Sequence, residues 1–145
     1  MRSLAAACAR SLTLAAMPRP RTPRQRNAAR QRRILEEILV DADGPEEQAM
    51  SWYYYLQEAL RFPFPARCRV ARATSPLEPG EQTLIIGMAP EEECAHEMFV
   101  RIRWHGRSLA VPLAQLDVRG ARAVDAPTRE ALADWHYWLD QGYEF

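Results

Sequence analysis

Met98-Phe99-Val100-Arg101-Ile102-Arg103-Trp104-His105-Gly106-Arg107-Ser108-Leu109-Ala110-Val111-Pro112-Leu113 is the stretch on which the fold turns. Met98, Val100, Ile102 and Trp104 alternate with Phe99, Arg101 and Arg103, a period of two that sends one set of side chains to a core and the other to water. His105-Gly106-Arg107 reads as a turn and Ser108 to Leu113 as the returning strand, which Pro112 ends or holds at an edge. Upstream, Thr83 to Met88 is a short, mostly buried strand. Arg67 to Thr74 alternates more weakly through Cys68, Val70 and Ala73, and Ser75-Pro76-Leu77-Glu78-Pro79-Gly80 connects the two. Four short antiparallel strands with tight turns curl into a small barrel or a strongly bent sheet.

Helical periodicity flanks this β region. Ile34, Leu35, Ile38 and Leu39 form one stripe of a helix running from Ala28 and stopping near Asp43-Gly44-Pro45. Pro45 suits the first turn of a second helix, with Glu46 and Glu47 at its positive end and Trp52, Tyr55, Leu56 and Ala59 on one face. That helix ends before Phe62-Pro63-Phe64-Pro65. A last helix runs from about Pro127 to Asp140, capped by Thr128 or Asp125, with Leu132, Trp135 and Leu139 as its stripe. The expected fold is α+β: a small antiparallel β-sheet or barrel, SH3-like or strongly bent, packed by two N-terminal helices and one C-terminal helix.

Charge divides the chain. Its 145 residues carry 19 basic and 19 acidic side chains, and every basic one is Arg. Nine of those Arg precede the first acid, Glu36, so residues 1–35 carry +9, and residues 36–145, with ten Arg against nineteen acids, carry −9. Met17-Pro18-Arg19-Pro20-Arg21-Thr22-Pro23 joins Pro to like charge without a large apolar group, which cannot offset its ordering entropy. Residues 1–27 therefore read as a disordered Arg/Pro-rich arm and residues 28–145 as a single acidic domain, with Met17 a second candidate start. An Arg-rich, acid-free beginning also fits an organelle transit peptide. Cys8, Cys68 and Cys94 form no CxxC pair and point to a reducing, cytoplasmic setting. The apolar run from Leu4 to Met17 is broken by Arg10 and is too short to span a membrane.

Few residue patterns suggest chemistry. Four carboxylates, Glu91, Glu92, Glu93 and Glu97, fall within seven residues between two strands, a density that either water or a hard cation must absorb. Asp41-Ala42-Asp43-Gly44 imitates an EF-hand loop, but putting Gly44 sixth makes Leu39 the first ligand and Met50 the twelfth. Asp41 and Asp43 remain able to add oxygens beside Glu46 and Glu47, or beside Glu58. Cys68, Cys94, His96 and His136 lack zinc spacing, Cys94 and His96 lack an oxyanion donor, and no Gly-rich phosphate loop occurs. An enzyme is not expected. Tyr53, Tyr54 and Tyr137 are candidate exposed stacking groups, and the arm offers non-specific phosphate contacts, although a −9 domain repels nucleic acid.

Several blocks in order carry a resemblance: Met50-Ser51-Trp52-Tyr53-Tyr54-Tyr55-Leu56, Phe62-Pro63-Phe64, Ser75-Pro76-Leu77, Gly87-Met88-Ala89-Pro90-Glu91-Glu92-Glu93-Cys94, Glu97-Met98-Phe99-Val100, Val111-Pro112-Leu113-Ala114-Gln115-Leu116 and Asp134-Trp135-His136-Tyr137-Trp138. Over about residues 34–145 the chain resembles the cyanobacterial calcium-binding protein (CcbP) family. The resemblance implies a bacterial, non-enzymatic protein whose ligand is Ca²⁺, bound without an EF-hand, and which acts as a calcium buffer or sensor. Glu91, Glu92, Glu93 and Glu97 match the family pattern and are expected to supply one site, with Glu58, joined by Asp41, supplying a second. Gln57-Glu58 stands where the family tends to have two adjacent acids. The alternative reading is a small-barrel interaction module that binds protein or nucleic acid through exposed aromatics and the basic arm.

Overall fold

The computed structural model describes residues 27–143 and 145. The expected arm, residues 1–27, lies outside these apart from Asn27. Helix α1 (Ala28–Arg33) starts at Asn27, whose side chain accepts the Arg30 N–H at 3.0 Å. It widens into a π-turn, Ile34–Ile38, closed by the Leu39 N–H on the Ile34 carbonyl. The i→i+5 spacing of a π-turn shifts the apolar stripe, so Ile34, Ile38 and Leu39 are buried while Leu35, expected inside, is exposed. Helix α2 (Pro45–Ala59) carries Glu46 and Glu47 in its first turn and buries Ala49, Trp52, Tyr53 and Leu56.

Five antiparallel strands form one sheet in the order β4-β3-β2-β1-β5: β1 (Phe64–Cys68), β2 (Gln82–Met88), β3 (Phe99–Trp104), β4 (Arg107–Pro112) and β5 (Leu116–Asp117). The hairpin read from sequence is the β3–β4 pair, with Val100 opposite Val111 and Trp104 opposite Arg107. His105 and Gly106, at φ 47° and 77°, make the two-residue turn whose twist matches that of paired strands. The first strand differs from the expectation of Arg67 to Thr74. Phe64, Ala66 and Cys68 alternate inward instead, and Pro63 and Pro65 favour extended backbone ahead of Cys68. Pro65 is tolerated because β5 pairs only with Arg67 and Cys68, so the strand is an edge where the proline sits. β5, two residues long, carries no periodic signal and was not expected.

Helix α3 (Ala126–Asp140) is capped by Asp125, which accepts the Thr128 N–H at 2.9 Å. It packs on α2 through indoles: Trp52 meets Trp135 edge-on with centroids 5.1 Å apart and lies 5.7 Å from Trp138. α1 is tied to this pair by one carboxylate. Asp134, fully buried, accepts from Arg30 at 2.5 Å and from Arg33 through one oxygen, and from the Tyr55 hydroxyl at 2.6 Å through the other. Burial, followed by that carboxylate, pushes the Tyr55 hydroxyl up to about 12. For Arg33, burial works downward, but Asp134 outweighs it and the guanidinium is raised. Three of the nine early arginines, Arg30, Arg32 and Arg33, thus belong to a helix of the fold.

Candidate metal centre

The acidic segment leaves β2 at Met88 and turns at once. Pro90 leads into a 3-10 turn, Glu91–Cys94, closed by the Glu93 N–H on the Pro90 carbonyl at 2.9 Å. Short-range geometry leaves the three glutamates exposed, while Cys94 points inward and is fully buried. The Cys94 sulfur receives the Phe99 N–H at 3.4 Å and lies 3.6 Å from the Phe99 carbonyl, which pins the segment to the start of β3. Burial pushes the Cys94 thiol up, with the Phe99 contact opposing and Glu93 reinforcing, so the group stays a neutral thiol near neutrality.

Helix α2 holds the other side of the segment. The Tyr53 hydroxyl donates to the Ala89 carbonyl at 2.8 Å and the Tyr54 hydroxyl donates to Glu91 at 3.0 Å. Tyr53, expected at the surface, is buried because this contact covers a second side of α2 beyond its Trp52 face. Both phenols are raised: Tyr53 by burial and then by the acidic groups around it, Tyr54 by its hydrogen bond to Glu91 and then by that carboxylate's charge. Each therefore remains a donor at neutral pH.

Between the first turns of α2 and the acidic turn lies a cleft of about 360 Å³, lined by Glu46, Ala49, Met50, Glu91, Glu92 and Ala95. Three carboxylates thus face one volume with no basic side chain in its wall. Three carboxylates carry up to six oxygens, and Ca²⁺ takes six to eight, so water must complete the shell. Among the described residues no three Asp, Glu, His or Cys side chains converge as a metal cluster, so these acids share the cleft without standing at ligand distance. Mutual repulsion favours that separation, and a divalent cation would relieve it. The donor set is hard oxygen, which suits calcium and not zinc.

The remaining expected ligands stand elsewhere. Glu93 is exposed on the turn without lining the cleft. Glu97 is held by Arg72, whose two terminal nitrogens donate to its two oxygens at 3.0 and 2.8 Å. Glu58 is exposed on the last turn of α2, twelve residues and hence about 18 Å along the helix from Glu46. Asp41 is exposed after the π-turn. Glu47 reaches back from the first turn of α2 to accept the Asp43 N–H at 2.9 Å. Glu46 was grouped in sequence with Asp41 and Asp43. Only the packing of α2 on the acidic turn brings it to Glu91 and Glu92, across 45 residues that no local signal bridges.

A family model for calcium binding, that of the CcbP proteins, matches residues 32–139. The crystal structure of Anabaena CcbP is 41% identical and superposes with a TM-score of 0.71 over 83% of this chain and 97% of that one. A calcium binding protein in its calcium-binding form is 37% identical, with a TM-score of 0.73 over 86% of this chain and 99% of the other. No curated protein matches the chain.

Proposed function

This chain belongs to the CcbP family of calcium-binding proteins, and from that premise we propose that Ca²⁺ is taken up between α2 and the acidic turn by Glu46, Glu91 and Glu92. The observation that carries the reading is the shared cleft: two glutamates of the family-like Gly-Met-Ala-Pro-Glu-Glu-Glu-Cys block meet a third carboxylate there, in walls free of Arg. The ion would draw the three carboxylates inward, and their exposure lets water fill the remaining coordination positions. Tyr54 holds Glu91 by its hydroxyl, and Tyr53 fixes the backbone at Ala89, so the turn is partly preorganised. Glu93, on the same turn, does not line this site. Glu58 is left out of it by distance and Asp41 does not line the cleft, so both would serve only a separate, weaker site.

The role that fits is calcium buffering or sensing, and Cys94, buried and kept a neutral thiol, offers no ready nucleophile beside the acidic turn. The calcium-binding unit corresponds to residues 28–145, with residues 1–27 as an appended arm. A cytoplasmic location accords with the sparse cysteines, and no helix among the described residues is long and apolar enough to cross a membrane. Isothermal titration of the full chain with CaCl₂ tests the site. Glu46→Gln, Glu91→Gln and Glu92→Gln should each weaken binding several-fold while Glu58→Gln leaves it unchanged. Wild-type affinity in all three of the first set would overturn the assignment.

A further inference from the structure

Glu97 has a cationic partner already. Both of its oxygens accept from the Arg72 fork, the strongest geometry a guanidinium and a carboxylate adopt. Among the described residues this is the one ion pair that uses a carboxylate of the acidic segment; the other arginines in ion pairs engage Asp117, Asp125, Glu130 or Asp134. It is also solvent-accessible, with side-chain exposures of 38% for Arg72 and 24% for Glu97, so it opens at modest cost. Ala95 lines the proposed calcium cleft, and Glu97 follows two residues later, within about 7 Å of backbone. Glu97 does not line that cleft itself, so its side chain must leave Arg72 and swing toward Ala95 to meet an ion bound there.

Arg72 has somewhere to go. Together with Glu97 it already borders a second cleft, of about 520 Å³, whose other walls include Trp135, Trp138 and Tyr143. Trp135 and Trp138 are buried, but Tyr143 is exposed and stacks on Trp138 by one face; its other face can accept a guanidinium by cation–π attraction, so losing Glu97 does not leave the cation without an environment.

We propose that Arg72 is a built-in competitor for calcium, occupying the Glu97 carboxylate in the ion-free protein and yielding it, by moving into the aromatic cleft, when the ion binds. This rests on the calcium site proposed above. Calcium gains a fourth carboxylate only by displacing Arg72, which lowers its affinity and couples binding to a rearrangement beside Trp135 and Trp138. A buffer needs no such coupling, whereas a sensor does.

The test is calcium titration of the full chain, followed by heat and by tryptophan emission. Arg72→Gln should tighten calcium binding, roughly fivefold for an accessible bidentate pair. The gain should vanish when Glu97→Gln is present as well, and Arg72→Lys, which keeps the charge but not the fork, should fall between. Wild-type protein should show a calcium-dependent change in tryptophan emission that Arg72→Gln loses. If Arg72→Gln binds calcium as the wild type does, or more weakly, the guanidinium only positions Glu97 and the proposal fails. Circular dichroism of each variant separates that result from misfolding, because a folded Arg72→Gln protein with unchanged affinity counts against the exchange. Normal weakening by Glu91→Gln and Glu92→Gln alongside a silent Arg72→Gln would remove this inference alone. Silence of all three would remove the calcium site too.

Discussion

Replacing Arg30 and Arg33 together by Ala strips both guanidinium groups from a carboxylate that has no exposure of its own. Asp134 would then keep only the Tyr55 hydroxyl at 2.6 Å. Removing the partners of a buried charge costs roughly 3–5 kcal/mol. Arg33, with its side chain 32% exposed, acts partly through solvent, which argues for the lower end, about 3 kcal/mol. That is a large share of the ~5–15 kcal/mol typical of a domain, and corresponds to a fall in Tm of roughly 10 °C. Urea and thermal unfolding followed by far-ultraviolet circular dichroism would measure it. Adding Asp134→Asn to the double variant removes the orphaned charge while leaving an oxygen for Tyr55, and should recover part of the loss. A double variant within about 0.5 kcal/mol of the parent, the scatter expected of neutral surface changes, would refute the reasoning. So would a triple variant less stable than the double. The same arithmetic warns against studying residues 34–145 alone, since that fragment lacks both arginines.

Burial, and then the charge of Arg69, lowers His136 to about 4, with Asp117 and Asp140 pulling the other way. The unfolded imidazole titrates near 6.5, so this residue's stabilisation is complete above that pH and drains away as pH falls toward 4, by on the order of 2–3 kcal/mol; His136→Gln should flatten that limb in urea titrations at stepped pH. The raised Tyr55 hydroxyl has the opposite sign: its contribution is intact below pH 10 and is lost as pH rises through about 12. Tyr55→Phe should lose about 1.5 kcal/mol at neutral pH and show no alkaline limb of its own. Tyr53→Phe removes the bond to the Ala89 carbonyl; we expect about 1 kcal/mol lower stability and a few-fold weaker calcium binding by calorimetry, and unchanged affinity would mean the turn needs no anchor.

What could be read in the sequence was local. The alternation from Met98 to Trp104 and the His105-Gly106 turn appear as the β3–β4 hairpin, and Asp125 caps the last helix as one of the two expected choices. The family blocks led to calcium, which the family match bears out, whereas nothing comparable supports the interaction module. What escaped depends on packing between distant segments. Tyr53 lies off the apolar face of its own helix and is buried only because Ala89 supplies a carbonyl. Glu46 has no sequence relation to Glu91. Arg30 and Arg33 look like the end of a basic arm until Asp134, a hundred residues on, gives them a partner. The register of β1 escaped because two prolines look like a break, and the absence of a long neighbour makes them harmless.

Four consecutive residues of α2 each hold a different part of the molecule. Trp52 packs on Trp135, Tyr53 reaches Ala89, Tyr54 reaches Glu91 and Tyr55 reaches Asp134. Successive side chains on a helix are about 100° apart, so these four point around its whole circumference and the helix works as a keyed axle. Any one key can be exchanged for a similar side chain at local cost. A single inserted or deleted residue between Pro45 and Trp52, by contrast, would turn Glu46 away from all four at once and uncouple the acidic cleft from the core. The spacing from Glu46 to the tyrosines is therefore a length constraint on any variant of this protein, stricter than the identity of any one aromatic in it.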